Sequence, residues 1–187
     1  MSLLIAAVEA AEPSSQDLDA TPFALWQAKQ GDTLLVDTEA NIGYLLHEDG
    51  RFASFPVATG QKRVVRYIGR TYNAATPASD WQAMSQEIKG DRITFGKLGR
   101  FLRLYKNEGT ESERTPYGIH SHASIEKMLA SMDRYRSMGC ILVSEDVLDV
   151  ILETFTLNEE NLSVRTIHGL GDETLTHDVL LQKMSAL

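Results

Sequence analysis

Two histidines and the only cysteine are the residues whose types and spacing could perform covalent chemistry in this chain. His120 and His122 lie in the segment 117–122, and Cys140 follows His120 by 20 residues. Because side chains two residues apart in a β-strand point to the same side, the two imidazoles are expected to project together. If a neighbouring strand carries the cysteine, a histidine and the thiol can meet.

The chemistry predicted for this set is nucleophilic catalysis. A free thiol has a pKa of about 8.5, so only a small part of it is the nucleophilic thiolate at neutral pH. We expect an adjacent imidazole to lower the thiol pKa. Each pKa unit by which the thiol is lowered favours the thiolate by about 1.4 kcal/mol. Gly139 gives the backbone before the thiol conformational freedom. The amides of Gly139 and Cys140 are then expected to stabilise an oxyanion during acyl transfer.

The same residues leave a second kind of site open. His120, His122 and Cys140 could bind zinc, since imidazole and thiolate are ordinary ligands and three of them leave a catalytic position free. No fourth ligand or carboxylate partner is evident in the sequence.

The pattern around these residues predicts a mainly β domain (β-rich α+β) with two or three flanking helices. Strands are predicted at 33–37, 42–46, 52–57, 81–88, 92–95, 101–105, 117–122, 137–143 and 162–167. Loops are predicted at 61–75 and 107–114. Helices are predicted at 124–133, 145–155 and 173–184, the second with Ser144 as its N-cap and acidic residues in its first turn.

Length and composition indicate one ordinary globular domain. The chain has 187 residues, of which 43% are hydrophobic and 24% are charged. We predict a flexible N-terminal segment at 1–24, the possible remnant of an export signal, and a single domain at 25–187. The longest apolar window, 3–8, is far shorter than the roughly 20 residues that cross a bilayer, so no membrane span is expected. The net charge of −8 argues against nucleic acid as a partner.

An ordered set of motifs resembles the catalytic signature of the L,D-transpeptidase (YkuD-type) family. The motifs are Tyr117-Gly118-Ile119-His120, Ala123-Ser124-Ile125, Ser137-Met138-Gly139-Cys140-Ile141 and Asp146-Val147. Earlier segments, including Asp49-Gly50-Arg51 and Phe55-Pro56-Val57-Ala58-Thr59-Gly60, resemble the first hairpins of that family. The resemblance covers about residues 32 to 168.

This resemblance implies a YkuD-like fold of sandwich-like or barrel-like β-sheets and acyl transfer on peptidoglycan stem peptides in the periplasm or cell envelope, with no cofactor. Cys140 would be the nucleophile, His120 the base, and the carbonyl of Ser121 the group that orients the imidazole. Gly139 would belong to the catalytic set. The substrate-binding residues would be Tyr117, Ser137, Met138 and Leu142. Arg136, just before Ser137, is expected from its charge and position to bind the substrate by receiving its carboxylates.

Three departures from the family pattern keep alternatives open. Leu142 stands where the family usually has Arg or Asn, and Met138 where it often has His. His120 fits the motif, whereas His122 fits the family's usual distance of about 16 to 18 residues to the cysteine, so either could be the base. The alternatives in function are an L,D-carboxypeptidase, which uses water as the acceptor, and a non-catalytic cell-wall-binding domain. The oligomeric state is not predicted.

The remaining histidines, tryptophans and basic residues have simpler interpretations. His47, His168 and His177 lie in polar or turn-like segments and are expected at the surface. Trp26 and Trp81 are expected in the core. A basic cluster is expected to be a solvated face, or else a rim that receives substrate carboxylates; its members are Arg92, Lys97, Arg100, Arg103 and Lys106.

Overall fold

The computed structural model describes residues 20–67, 69–108, 111–171 and 175–185, and it is mainly β, with 41% strand and 19% helix. The strands are β1 (Thr33–Asp37), β2 (Ile42–Leu46), β3 (Phe52–Pro56), β4 (Thr59–Gly60), β5 (Val64–Tyr67), β6 (Arg70–Asn73), β7 (Ser79–Ile88), β8 (Arg100–Glu108), β9 (Glu111–His120), β10 (Tyr135–Ser137), β11 (Ile141–Leu142) and β12 (Leu162–Ile167). The helices are α1 (Ile125–Leu129), α2 (Glu145–Leu157) and α3 (His177–Ser185). The mainly β prediction is confirmed.

One curled eight-stranded sheet organises the chain, in the order β11-β9-β8-β7-β12-β1-β2-β3. Two of its pairings are parallel, β1 with β12 and β11 with β9. The alternation of side chains sends Leu34 and Val36 into the core beside α2, and sends Leu35 to the other face, where Leu180 of α3 packs. The sheet is therefore covered on both faces.

Helix α2 follows directly from its sequence. The Ser144 side chain accepts a hydrogen bond from the amide of Val147, which caps the first turn, and Glu145 and Asp146 favour the positive end of the helix dipole. Its buried residues recur at helical spacing and face the sheet. They are Val147, Leu148, Ile151, Leu152, Thr154 and Phe155. This helix was predicted and is confirmed.

Two predicted loops are partly strands. The stretch 61–75 contains the β5–β6 hairpin, in which Val65 lies opposite Tyr72. In the stretch 107–114, β8 and β9 continue their pairing as far as Glu108 and Glu111. Backbone pairing between neighbouring strands prevails over polar composition at both places.

The predicted strand at 92–95 is wrong, because these residues form turns. The side chain of Asp91 accepts hydrogen bonds from the amides of Ile93 and Thr94, at 3.0 and 3.1 Å. Gly96 and Gly99 then adopt positive φ angles of 71° and 66°. Asp and Gly turn chemistry therefore prevails over the β propensity of Ile93 and Thr94.

The first and third predicted helices are shorter than expected, since α1 ends at Leu129 and α3 begins at His177. The predicted flexible segment 1–24 lies mostly outside the described residues and stays a prediction. No helix in the described parts of the chain is long and apolar enough to cross a membrane.

Two histidines expected at the surface are buried. His47 stacks on Trp26, with ring centroids 3.7 Å apart, and its Nδ1 lies 2.5 Å from a carboxylate oxygen of Asp32. Nε2 of His177 lies 2.8 Å from the carbonyl oxygen of His47. Each ring has a polar partner, which offsets the cost of burial. Trp26 and Trp81 are core residues, as predicted.

Candidate active site

The predicted meeting of the histidine strand and the cysteine strand is present. Strand β11 lies parallel to β9, with Ile141 beside Ile119 and Leu142 beside His120. Cys140 directly precedes β11, which brings it level with Gly118 on β9. The sheet therefore brings the cysteine segment and the histidine segment together.

The turn before the cysteine is held by Ser137. Its hydroxyl donates to the carbonyl of Cys140 at 2.6 Å and accepts from the amide of Gly139 at 3.1 Å. Gly139 has φ of +115°, and a Cβ there would lie 2.5 Å from Cε1 of Tyr117, so only glycine fits without strain. Because the Gly139 amide is bonded to Ser137, the expectation that it is free to stabilise an oxyanion is wrong for this structure.

His120 is a buried residue with a fixed orientation. Its Nδ1 lies 2.7 Å from the carbonyl oxygen of Ser121, which can only accept a hydrogen bond, so Nδ1 carries the proton. Phe95 and Phe101 pack on the ring, with centroid distances of 4.9 and 5.5 Å. Burial lowers the pKa of His120 to about 4, against the opposing effect of the bond to Ser121. The imidazole is therefore neutral at pH 7.

The environment of Cys140 raises the thiol pKa instead of lowering it. Burial raises this pKa to about 11, and the Gly118 amide and the charge of Arg103 oppose the change only in part. Apolar side chains account for the desolvation, because the half-buried cysteine packs against a cluster of buried and partly buried residues. These are Ala58, Ile125, Leu142, Met128 and Leu129. The expectation of a lowered thiol pKa is wrong for the unliganded protein.

The strand geometry that predicted a common side for His120 and His122 does not extend to His122. Strand β9 ends at His120, so the alternation of side chains stops before His122. Nδ1 of His122 instead accepts a hydrogen bond from the amide of Ser124 at the start of α1, at 3.0 Å. Of the two candidate bases, His120 is the one held within the sheet.

The predicted substrate-binding residues surround the cysteine turn in different ways. Tyr117 is half-buried and packs edge-on against Trp81, at 5.7 Å between ring centroids. The sulfur of Met138 accepts from Gln61, at 3.6 Å. Arg136 is exposed at the wall of an open cavity. Leu142 is buried, and its backbone pairs with Ala58 in both directions, at 2.8 and 2.9 Å.

No protein-family model matches the sequence, and neither does any curated protein. Solved structures do match. The L,D-transpeptidase of Xylanimonas cellulosilytica superimposes with a TM-score of 0.52 at 21% identity, covering 75% of this chain and 62% of that one. Bd1075 of Bdellovibrio bacteriovorus gives a TM-score of 0.50 at 15% identity, covering 75% of this chain and 48% of that one.

The chain has the L,D-transpeptidase fold. It spans less than two thirds of either solved structure. At these identities the likeness concerns the fold, and the chemistry has to be argued from the site.

Sequence reasoning missed one charged residue of this candidate site. Arg103 was expected on a solvated face, yet it is 6% exposed and binds both carboxylate oxygens of Glu87, at 2.6 and 2.9 Å. The sequence does carry a signal for this position. Alternation in β8 places Arg103 on the same side of the sheet as Phe101, and on the opposite side from Leu102. Arg103 lies opposite Gly118 in the neighbouring strand, and its charge favours the thiolate of Cys140.

The metal alternative finds no support in the geometry. Within the residues that the structure describes, no group of three histidine, cysteine or acidic side chains could hold a metal ion. The ring of His120 bonds to the Ser121 carbonyl, whereas that of His122 bonds to the Ser124 amide. The two imidazoles therefore do not form a common ligand set with Cys140.

Proposed function

We propose that this chain is a peptidoglycan L,D-transpeptidase in which Cys140 is the nucleophile and His120 the general base. The observation that carries the proposal is the 2.7 Å contact between Nδ1 of His120 and the Ser121 carbonyl, on the strand that pairs with the cysteine segment. Nucleophilic catalysis requires a base whose ring is oriented by a hydrogen bond from its other nitrogen, and His120 has such a bond. The L,D-transpeptidase fold supports the substrate class.

The reaction has two balanced steps. The sulfur of Cys140 attacks the carbonyl carbon of a diamino acid residue in the stem peptide, while His120 takes the thiol proton. The tetrahedral intermediate then expels the terminal D-amino acid, whose amine receives that proton, and a thioester remains on Cys140. In the second step the amine of another stem peptide attacks the thioester, and the thiol is regenerated.

The pKa values indicate when the proton moves. Burial keeps the thiol protonated and the imidazole neutral in the unliganded protein, since their pKa values are about 11 and about 4. A preformed thiolate–imidazolium pair is therefore disfavoured. The proton is transferred as the sulfur attacks, so His120 acts as a general base and not as a permanent counter-ion.

The raised thiol pKa also favours a second candidate, a cell-wall-binding domain without activity. In that case the neutral, desolvated thiol of Cys140 is a packing residue of the apolar cluster with Leu142 and Ile125. Both candidates act on the bacterial cell wall, so we propose the periplasm or cell envelope as the location.

Intact-mass measurement separates these candidates. A synthetic stem tetrapeptide and a carbapenem are each incubated with the protein, and a covalent adduct on Cys140 is expected in both cases. Cys140→Ala must abolish both adducts. A wild-type protein that gains no mass with either reagent is the result that refutes the transpeptidase proposal.

A matched pair of variants assigns the base. His120→Gln is expected to slow adduct formation by at least about 100-fold, the usual contribution of general base catalysis. His122→Gln is expected to react like the wild type. In the wild type, product analysis with an added acceptor amine distinguishes a cross-linked peptide from the tripeptide that an L,D-carboxypeptidase would release.

A further inference from the structure

A polar cavity of about 530 Å³ opens beside the turn that carries Cys140. One wall is formed by the residues that come directly after β4 in the chain, and the other by β10 and the residues before it. The cavity is lined by Gln61, Lys62, Arg63, Asp133, Tyr135 and Arg136. Its volume suits a small polar group or an amino-acid-sized ligand.

The cavity is tied to the cysteine turn by direct contacts. Strands β4 and β10 pair in parallel, so the two walls belong to one small sheet. The amide of Gln61 donates to the carbonyl of Ser137 at 3.0 Å, and its side chain donates to the sulfur of Met138 at 3.6 Å. Ser137 in turn bonds to the carbonyl of Cys140. A ligand in the cavity therefore lies next to the residues that position the thiol.

The charge of the cavity is positive, although the whole chain has a net charge of −8. Lys62, Arg63 and Arg136 face a single carboxylate, that of Asp133. Asp133 compensates little, because its side chain is 61% exposed and lies 3.6 Å from the Arg136 guanidinium, and such exposed pairs are weak.

Besides the exposed Arg136–Asp133 ion pair, neutral partners hold the cationic side chains in place. Nε of Arg63 donates to the side-chain oxygen of Gln61 at 2.7 Å, and Nε of Arg136 donates to the carbonyl of Asp133 at 3.0 Å. The ammonium of Lys62 lies 4.3 Å from the centre of the Tyr135 ring. These contacts orient the cations without neutralising them.

We propose that this cavity is an anion subsite that binds a carboxylate of the peptide reacting at Cys140. The inference rests on the proposed function and adds Lys62, Arg63 and Gln61 to the predicted Arg136. A guanidinium recognises a carboxylate through parallel hydrogen bonds, and two guanidiniums flank this cavity. Stem peptides carry free carboxylates, which a net negative protein can attract only through a local positive patch.

The test compares a stem tetrapeptide with its fully amidated form. Binding is measured by isothermal titration calorimetry on Cys140→Ala protein, which prevents turnover. We expect the acid form to bind at least about tenfold more tightly than the amide, which corresponds to about 1.4 kcal/mol. Adding Arg63→Gln and Arg136→Gln together should remove that preference. The control is Arg51→Gln, an exposed arginine in the β2–β3 turn, which should retain it.

The outcomes separate the subsite from the proposed function. Equal affinity for acid and amide in the Cys140→Ala parent, or an unchanged preference in the double variant, overturns the subsite even if Cys140 forms an adduct. A charge-dependent affinity in a wild-type protein that forms no adduct supports the subsite and refutes the transpeptidase activity. Lys62→Gln, at an exposed position, provides a second readout if the double variant is poorly folded, and it should weaken binding of the acid form alone.

Discussion

The carboxylate of Glu87 accepts two hydrogen bonds from the guanidinium of Arg103, at 2.6 and 2.9 Å. Arg103 also donates to the carbonyl of Thr115 at 2.7 Å, and its guanidinium lies 4.6 Å from the centre of the Phe101 ring. These bonds hold the pKa of Glu87 well below its usual range. A largely desolvated ion pair therefore lies on the sheet face that also carries His120.

Removing the cation of this pair should affect both stability and the thiol. We expect Arg103→Gln to lower the free energy of unfolding by up to about 3 kcal/mol, because the partly buried carboxylate of Glu87 loses its two-bonded partner and keeps only Arg114 and Lys89 as cationic contacts. The rate of Cys140 alkylation by iodoacetamide should fall, since the charge that favours the thiolate is lost. The matched control is Arg114→Gln, which contacts the same carboxylate at 3.0 Å but is 60% exposed. Its effect should be under about 1 kcal/mol in urea unfolding. Equal losses in the two variants would contradict this account.

The thiol of Cys140 should titrate far above neutral pH. Because burial raises its pKa to about 11, the rate of alkylation by iodoacetamide should increase about tenfold per pH unit from pH 7 to pH 10, as the thiolate fraction does. Mass spectrometry of the alkylated protein gives the rate at each pH. A rate that is already constant below pH 8 would instead reveal a thiolate stabilised by an imidazolium.

Buried His120 should make stability depend on pH in the acidic range. Its pKa in the folded protein is about 4, below the ordinary value of about 6.5, so the unfolded chain takes up a proton first as the pH falls. The stability that depends on keeping His120 neutral is fully present above pH 6.5. Between there and pH 4, the free energy of unfolding falls by roughly 3 kcal/mol. Urea unfolding at both pH values should show a larger loss for the wild type than for His120→Gln. Equal losses of stability in the wild type and in His120→Gln would mean that the fold does not keep the ring neutral.

A methyl group at Gly139 should disrupt the cysteine turn. Gly139→Ala combines a positive φ with a Cβ position 2.5 Å from the Tyr117 ring, and we expect a loss of at least about 2 kcal/mol in thermal or urea unfolding. Gly50→Ala is the control, since Gly50 has φ of +98° and no atom within 4 Å of the added Cβ. The difference between the two variants measures the contact with Tyr117. If Gly139→Ala costs no more than Gly50→Ala, the turn tolerates the contact.

Much of the sheet could be predicted because its strands are either short apolar runs, as in β1 and β2, or alternate, as in β12, and because its turns carry Asp, Asn or Gly. The helix that begins after Ser144 was equally clear, since its cap, acidic first turn and apolar stripe agree. Motif resemblance identified His120 and Cys140, which lie at the end of β9 and directly before its parallel neighbour β11. These features are local, or depend on patterns of neighbouring residues.

Other properties of the site depend on contacts that no local pattern encodes. Arg103 is buried because Glu87, on the neighbouring strand β7, binds it, and the two residues are 16 apart in sequence. The ring of His120 is covered by Phe95, from a segment that was predicted to be a strand. The thiol pKa depends on desolvation by Ile125 and Leu142, which sequence spacing does not reveal. Tertiary burial thus determines the electrostatics that residue types alone leave open.

The parallel pairing of β9 and β11 also bears on how the distance from histidine to cysteine can vary. Residues 121–134 leave the sheet after His120 and pass through α1 to β10, which pairs with β4, and the chain re-enters the sheet at β11, directly after Cys140. Their number does not set which residues of β9 and β11 lie side by side, because that pairing is made by the strands themselves. Insertions or deletions between α1 and β10 are therefore compatible with an unchanged strand pairing beside the nucleophile and its base, so the number of residues between histidine and cysteine can differ among chains that share this fold.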